Sequence, residues 1–338
     1  MDIGACEYFI GTQTGVLSVT ASANWTNVVT GFAVQFDATI QGECLGGRWQ
    51  WGDGQSAPLA PLPMEHTYAA PGTYAAVLRA SNLTMMAAAT VTVHVVAPAL
   101  RYVAPGGGNV APFISWANAS TTIQAAIDSA FAGETILVSN GLYAVGGVAG
   151  YPAGCTLTSR VAIYKPVTVR SVNGAEATII EGCWDTNSLS DGFGPAAVRC
   201  VFLAEGAAIE GFTLQDGNTQ AEFDSEMRAD CCGGGLWADP GGIVSNCIIF
   251  ANAADICGGG AYGGVFYNCL FMYNSAGSGG GAWRSIIHNC TVVDNWASSL
   301  GGGVGRSRLC NSIVCDNSYD NQHSSLFSFS CTMPVPEG

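Results

Sequence analysis

Four stretches of sequence decide the fold: IVSNCIIFAN at 243–252, VFYNCLFMYN at 265–274, IIHNCTVVDN at 286–295 and RLCNSIVCDN at 308–317. Their first asparagines, Asn246, Asn268, Asn289 and Asn311, stand 22, 21 and 22 residues apart. The second set, Asn252, Asn274, Asn295 and Asn317, repeats the same steps, and glycine triplets at 233–235, 258–260, 279–281 and 301–303 punctuate the lines. Short β-type runs with glycine corners at a fixed period form a solenoid in which each coil adds one rung.

The residue types follow from such a coil. Each run alternates, so one side faces the lumen and the other faces solvent. Asparagine tolerates left-handed backbone and bonds its stacked neighbour, and glycine fits corners that no side chain could enter. Cys247, Cys269 and Cys290 follow the first asparagines at one phase and are expected to form a ladder. Paired amphipathic helices cannot be drawn from so short and glycine-rich a unit. The expected architecture is a right-handed parallel β-helix.

Composition narrows the function. Of 338 residues only 11% are charged, Lys165 is the single lysine and the net charge is −14. That balance argues against nucleic acid and anionic membrane surfaces, which select basic patches. No apolar run approaches the roughly 20 residues of a membrane span. Fourteen cysteines suit an oxidising compartment. Disulfides among Cys155, Cys183, Cys200, Cys231, Cys232, Cys310, Cys315 and Cys331 stand beside buried thiols as alternatives. The sequons at Asn24, Asn82 and Asn118 are glycosylation candidates; a fourth, at Asn289, lies inside the repeat.

Taken in order, residues 1–15 hold a short apolar strand and a polar linker. From residue 16 to 97 short alternating strands separated by turn residues specify a small β-sandwich. Within it, Trp49-Gln-Trp-Gly-Asp-Gly54, His66-Thr-Tyr-Ala-Ala-Pro-Gly-Thr-Tyr74 and Ala80-Ser-Asn82 resemble the PKD domain of surface proteins. The resemblance implies an Ig-like spacer in which Asp53 and His66 serve turn and packing roles. Residues 98–338 make the β-helix. Its one helix is expected over 121–131, with Ile123, Ala126, Ile127 and Ala130 on one face, Ser120 or Thr121 as N-cap and Gly133 past the end. Such a helix would plug the open lumen.

The segments IQAAIDSA (123–130), GETILVSNGLY (133–143) and KPVTVRSVNGAEATIIEG (165–182) resemble the start of pectate-lyase-like β-helix proteins. GGGAY, GGGAW and Phe271-Met-Tyr-Asn274 resemble the repeats of bacterial polymorphic outer-membrane proteins. These resemblances imply an all-β architecture and leave activity open, because the fold hosts lyases, hydrolases, adhesins and inert spacers. The NTD, GHG and RIK motifs of the hydrolases are missing from the sequence. Hard oxygen ligands for calcium are available at Asp224, Glu226 and Asp230, beside Arg228, with a solvated surface loop as the plainer reading. No other cofactor is expected. Trp237, Tyr262 and Trp283 follow the glycine triplets at equal phase, as core residues or, if exposed, as a sugar-stacking ladder. Core is the expectation.

Residues 2–8, DIGACEY, resemble the strand that closes β-helices of this kind, although here they precede the sandwich. The sequence therefore reads as a module of an extracellular or cell-surface array. Residues 1–10 of one copy, with the apolar strand 3–10, would pair with the C-terminal coils of the preceding copy, head to tail. Glycans are the other expected partner, through a carbohydrate-active enzyme or a glycan-binding adhesin.

Overall fold

The computed structural model describes residues 14–189, 192–221 and 229–332. The strand expected within 3–10, and Asp224, Glu226, Arg228 and Asp191, lie outside the described residues. Two compact units are present: one runs to Ala99 and includes Phe131–Gly133, and the other comprises Leu100–Ala130 and the chain from Glu134.

The first unit is a sandwich. Strands Ser18–Ala23, Ala33–Gln41 and Met64–Thr67 form one antiparallel sheet. Asn27–Val29, Met86–Val96, Gly72–Ser81, Gly46–Gln50 and Ser56–Pro58 form the other. Alternation along each strand turns Phe36, Trp49, Leu78 and Val93 inward, where they are fully buried. Trp49 and Trp51 stack at 5.0 Å, and Trp51 stacks on His66 at 4.8 Å. His66 Nε2 meets Asp53 Oδ2 at 2.8 Å, while Asp53 Oδ1 accepts the Gln55 amide. Both residues thus close a turn over the aromatic core, in the roles that the sequence implied.

The second unit is a right-handed parallel β-helix. Among the described residues its three long sheets have nine, eight and seven strands, and neighbouring strands in each pair in parallel. One lumen row of the first sheet reads Ile136, Val169, Ile209, Val244, Phe266, Ile287 and Leu309, each in register with the next. A row of the second sheet, Ile180, Leu214, Ile249, Phe271, Val292 and Val314, does the same. All these side chains are buried in one continuous core. The helix spans Ile123–Ser129 and packs Ile123, Ala126 and Ile127 on that core. Its N-cap is Thr122, whose side chain accepts the Ala125 amide, rather than Ser120 or Thr121. Ser120 instead braces the loop before it, its hydroxyl donating to the Thr122 carbonyl. Beside the helix, Arg101 donates from Nε and Nη2 to both oxygens of Glu134 at 2.8 and 3.1 Å, a buried pair with no signal in the sequence pattern.

Two asparagine columns run along the coils, and they differ in kind. Asn246, Asn268, Asn289 and Asn311 are exposed corners in left-handed backbone, with φ between 50° and 54°. Their stacking is light: Asn268 Nδ2 lies 3.4 Å from Asn246 Oδ1, and Asn311 Nδ2 donates to Asn289 Oδ1 at 2.7 Å. In the second column Ala251, Tyr273, Asp294 and Asp316 take the left-handed conformation, and the asparagine that follows turns inward. Asn252 donates from its backbone N–H and from Nδ2 to Asn274 Oδ1, at 3.1 and 3.0 Å. Asn274 does the same to Asn295, Asn295 to Asn317 and Asn317 to Asn321. Each second Nδ2 proton of Asn252 and Asn274 reaches a carbonyl, that of Leu214 or Ile249.

A sulfur-and-hydroxyl ladder repeats the device. The Cys269 amide donates to Cys290 Sγ, the Cys290 amide to Ser312 Oγ and the Ser312 amide to Ser330 Oγ. The glycine triplets serve close approach between coils. A Cβ on Gly259 would meet the Ser275 carbonyl oxygen at 2.2 Å, and one on Gly280 the Trp296 carbonyl oxygen at 2.1 Å.

Replacing Asn274 by Ala removes the acceptor for two Asn252 donors and the donor to Ile249, all buried. At about 1–3 kcal/mol per orphaned group, Asn274→Ala should destabilise the β-helix by roughly 3–5 kcal/mol in denaturant unfolding. Asn268→Gly, at an exposed left-handed corner, should stay within about 1 kcal/mol of wild type. Equal losses at the two sites would show that the inner column does not hold the coils.

Candidate functional site

Three places outside the lumen gather chemistry, and all lie in the second unit. The first is the aromatic row. Phe202, Trp237, Tyr262 and Trp283 are in-register partners on the outward side of the third sheet. Trp237 and Tyr262 stack at 4.2 Å. Cationic side chains cover them: Arg199 over Trp237, Arg284 over Tyr262 and Arg306 over Trp283, at 5.5–5.9 Å. Trp283 is only 4% exposed, and the row shares a small apolar cluster with Cys232, Cys257 and Ile256. Phe202 and Trp283 are therefore buried outside the lumen, while Trp237 and Tyr262 are half-buried beneath the arginines, so the expectation of core holds in part. Gly305 is needed here because a Cβ would meet the Trp283 ring at 2.0 Å.

The second place is the Asp230 loop. Asp230, one of the three calcium candidates, accepts at Oδ1 from the amides of Thr156 and Leu157 at 2.7 and 2.8 Å and from the Cys155 thiol at 2.9 Å. It staples residues 155–157 in place. Among the described residues no group of three or more His, Cys, Asp or Glu converges as a metal cage. Partial burial alone would raise the Asp230 carboxyl; the donors from Cys155, Leu157 and Thr156 outweigh it and hold the pKa below the usual aspartate value. Asp185, in the neighbouring irregular loop, is likewise engaged by the amides of Asn187 and Ala196. Elsewhere burial, with the nearby Glu181 carboxylate, pushes Asp216 up, while Arg160 donates to the carbonyls of Glu181 and Gly182.

The third place is a cleft of about 500 Å³ on the outer face of a short three-stranded sheet, Ala253–Cys257, Ser275–Ser278 and Trp296–Leu300. Its floor is small residues, Ala253, Ala254, Ser275, Ala276 and Gly277, with Asp255 and Ser298 beside them. Trp184 and Trp296 flank it, 49% and 51% exposed. Sequence reasoning passed over this pair, since neither tryptophan lies at the phase of the aromatic row. Trp184 comes from an irregular loop more than 100 residues earlier.

The glycosylation candidates differ in availability. Asn24 and Asn118 are exposed. Asn82 is half-buried, and its Nδ2 donates to the carbonyls of Gly15 and Glu43. Cys155 and Cys200 are buried thiols, Cys183 and Cys331 exposed ones, and Cys310 and Cys315 half-buried. No helix among the described residues is long and apolar enough to cross a membrane.

Comparison with known proteins bears on both units. Residues 17–95 match the profile of the PKD domain. The PKD domain of the human VPS10 domain-containing receptor SorCS2 is 26% identical, covering 29% of this chain and 89% of that one, with a TM-score of 0.22. A pectin methylesterase solved with a hexasaccharide covers 69% of this chain and 70% of its own, at 13% identity and a TM-score of 0.40. A rhamnogalacturonan lyase covers 65% and 69%, at 14% identity and a TM-score of 0.38. The last two are parallel β-helix proteins. No curated protein sequence matches the chain.

The Asp230 staple has a pH signature. Its folded pKa lies below the unfolded value of about 3.9, so its stabilisation is complete above that pH and is lost as pH falls through the folded pKa. The stability gap between wild type and Asp230→Ala should therefore be constant from about pH 5 upward and narrow below about pH 4. A gap that widens on acidification would contradict the role.

Proposed function

We propose that this chain is a structural module of an extracellular array, in which a PKD spacer is joined to a β-helix stem. The observation that carries the reading is the unbroken carboxamide column from Asn252 to Asn321, which locks successive coils in one register. A stem with fixed register resists bending and needs no ligand to hold its form. The scarcity of lysine and arginine and the PKD domain at 17–95 fit a secreted or surface location. Copies would join head to tail through the apolar segment within residues 3–10, added as a strand to the coils of a neighbour.

A second reading has its own support in the cleft flanked by Trp184 and Trp296. Exposed indoles over a floor of small residues suit the apolar faces of pyranose rings, which makes the stem a glycan-contact surface as well.

The full chain and a variant lacking residues 1–10 would be compared by sedimentation velocity and negative-stain microscopy over a range of concentrations. Concentration-dependent linear assemblies are expected from the first and single molecules with an intact melting transition from the second. Assembly that survives the deletion would refute the head-to-tail contact. For the cleft, Trp184→Ala with Trp296→Ala should abolish retention of the chain on immobilised polysaccharides. Release of reducing or unsaturated sugar ends by the wild type would replace the structural reading with an enzymatic one.

A further inference from the structure

Two thiols stand apart from the rest. Cys232 and Cys257 are 0% and 1% exposed and are Cα partners in a parallel bridge between successive coils. The Gly233 amide donates to the Cys257 carbonyl at 3.0 Å, which fixes the two backbones side by side. Directly opposed positions on adjacent parallel strands lie about 4.8 Å apart, inside the window of roughly 4.4–6.8 Å that a disulfide spans. Their sulfurs are 3.0 Å apart, so about 1 Å of approach separates them from bonding distance.

The other inner thiols each reach an oxygen as well. Cys155 Sγ donates to Asp230 Oδ1 and Cys200 Sγ to the Gln215 carbonyl. Cys247, Cys269 and Cys290 point their sulfurs at the carbonyls of Ser245, Tyr267 and His288. Cys247, Cys269 and Cys290 also meet one another thiol to thiol along their ladder, but Cys232 and Cys257 are directly opposed Cα partners whose sulfurs lie 3.0 Å apart. Arg199 Nη2 donates to the Cys232 carbonyl at 2.8 Å, while the Cys232 thiol and burial hold the Cys257 thiol far above the ordinary cysteine value against the opposing Arg284 and Arg306 charges, so exchange has to precede burial. A thiolate is the species that attacks a disulfide.

We propose that Cys232 and Cys257 are joined by a disulfide that clasps two successive coils directly after the short helical turn Ala229–Cys231. The bond forms by exchange with a low-molecular-weight or protein disulfide. One thiolate attacks that disulfide and expels a thiol, giving a mixed disulfide. The second thiolate then displaces the remaining sulfur, so two thiols lose two protons and two electrons while the oxidant becomes two thiols. Burial of both residues makes this an event of folding, before the cluster around Trp283 closes over them. The clasp depends on an oxidant and not on the proposed array.

Full chain would be folded in a buffer of glutathione and glutathione disulfide, alkylated in denaturant without reductant, digested and mapped by mass spectrometry. A linked peptide containing Cys232 and Cys257 is expected. It should persist in Cys231→Ser and vanish in Cys232→Ser and in Cys257→Ser, with circular dichroism reporting that each variant folds. Reductant should lower the melting temperature of the wild type by roughly 5–10 °C and leave that of Cys257→Ser unchanged. Recovery of Cys232 and Cys257 both alkylated, or of Cys257 linked to Cys231 instead, would overturn the proposal.

Discussion

The buried carboxamide column is the constraint on which the β-helix depends. A coil of this kind must turn its backbone inward at each corner, which strands amides and carbonyls away from water. Asn274 answers that need completely: its oxygen takes two donors from Asn252, and its nitrogen gives one proton to Asn295 and one to the Ile249 carbonyl. No other side chain offers both a two-fold acceptor and two donors at that length. The glycine triplets then become obligatory, since coils held at this spacing leave no room for a Cβ at Gly259 or Gly280.

That spacing also explains where chemistry collects. Among the described residues the lumen is packed by rows of Val, Ile, Leu and Phe. Polar and aromatic groups are driven outward, onto the aromatic row laced with arginines and onto the small-residue floor between Trp184 and Trp296. The second core around Trp283, with the paired sulfurs beside it, braces the outer face of the third sheet. Stiffness and surface thus arise from the same periodicity.

Much of the architecture was legible because it is periodic. The 21- and 22-residue steps placed the corners, the cysteine ladder and the aromatic row in register, and the helix face was readable from Ile123, Ala126 and Ile127. The period alone could not say which asparagine column turns inward, since both share its phase; burial distinguishes them. The candidate sites were harder to read because they are aperiodic. Cys257 pairs with Cys232 across 25 residues, Trp184 meets the cleft from a distant loop, and Asp230, charged and next to other acids, anchors a turn 73–75 residues away. At Asp230 the hydrogen bonds to residues 155–157, invisible in the local spacing, set the role of the side chain.

The most direct test of the central claim is hydrogen exchange at asparagine side chains, followed by NMR on selectively labelled protein. The Nδ2 protons of Asn252, Asn274 and Asn295 should be strongly protected, while those of the exposed Asn246 and Asn268 exchange at solvent rates. Equal, rapid exchange at both columns would contradict the account.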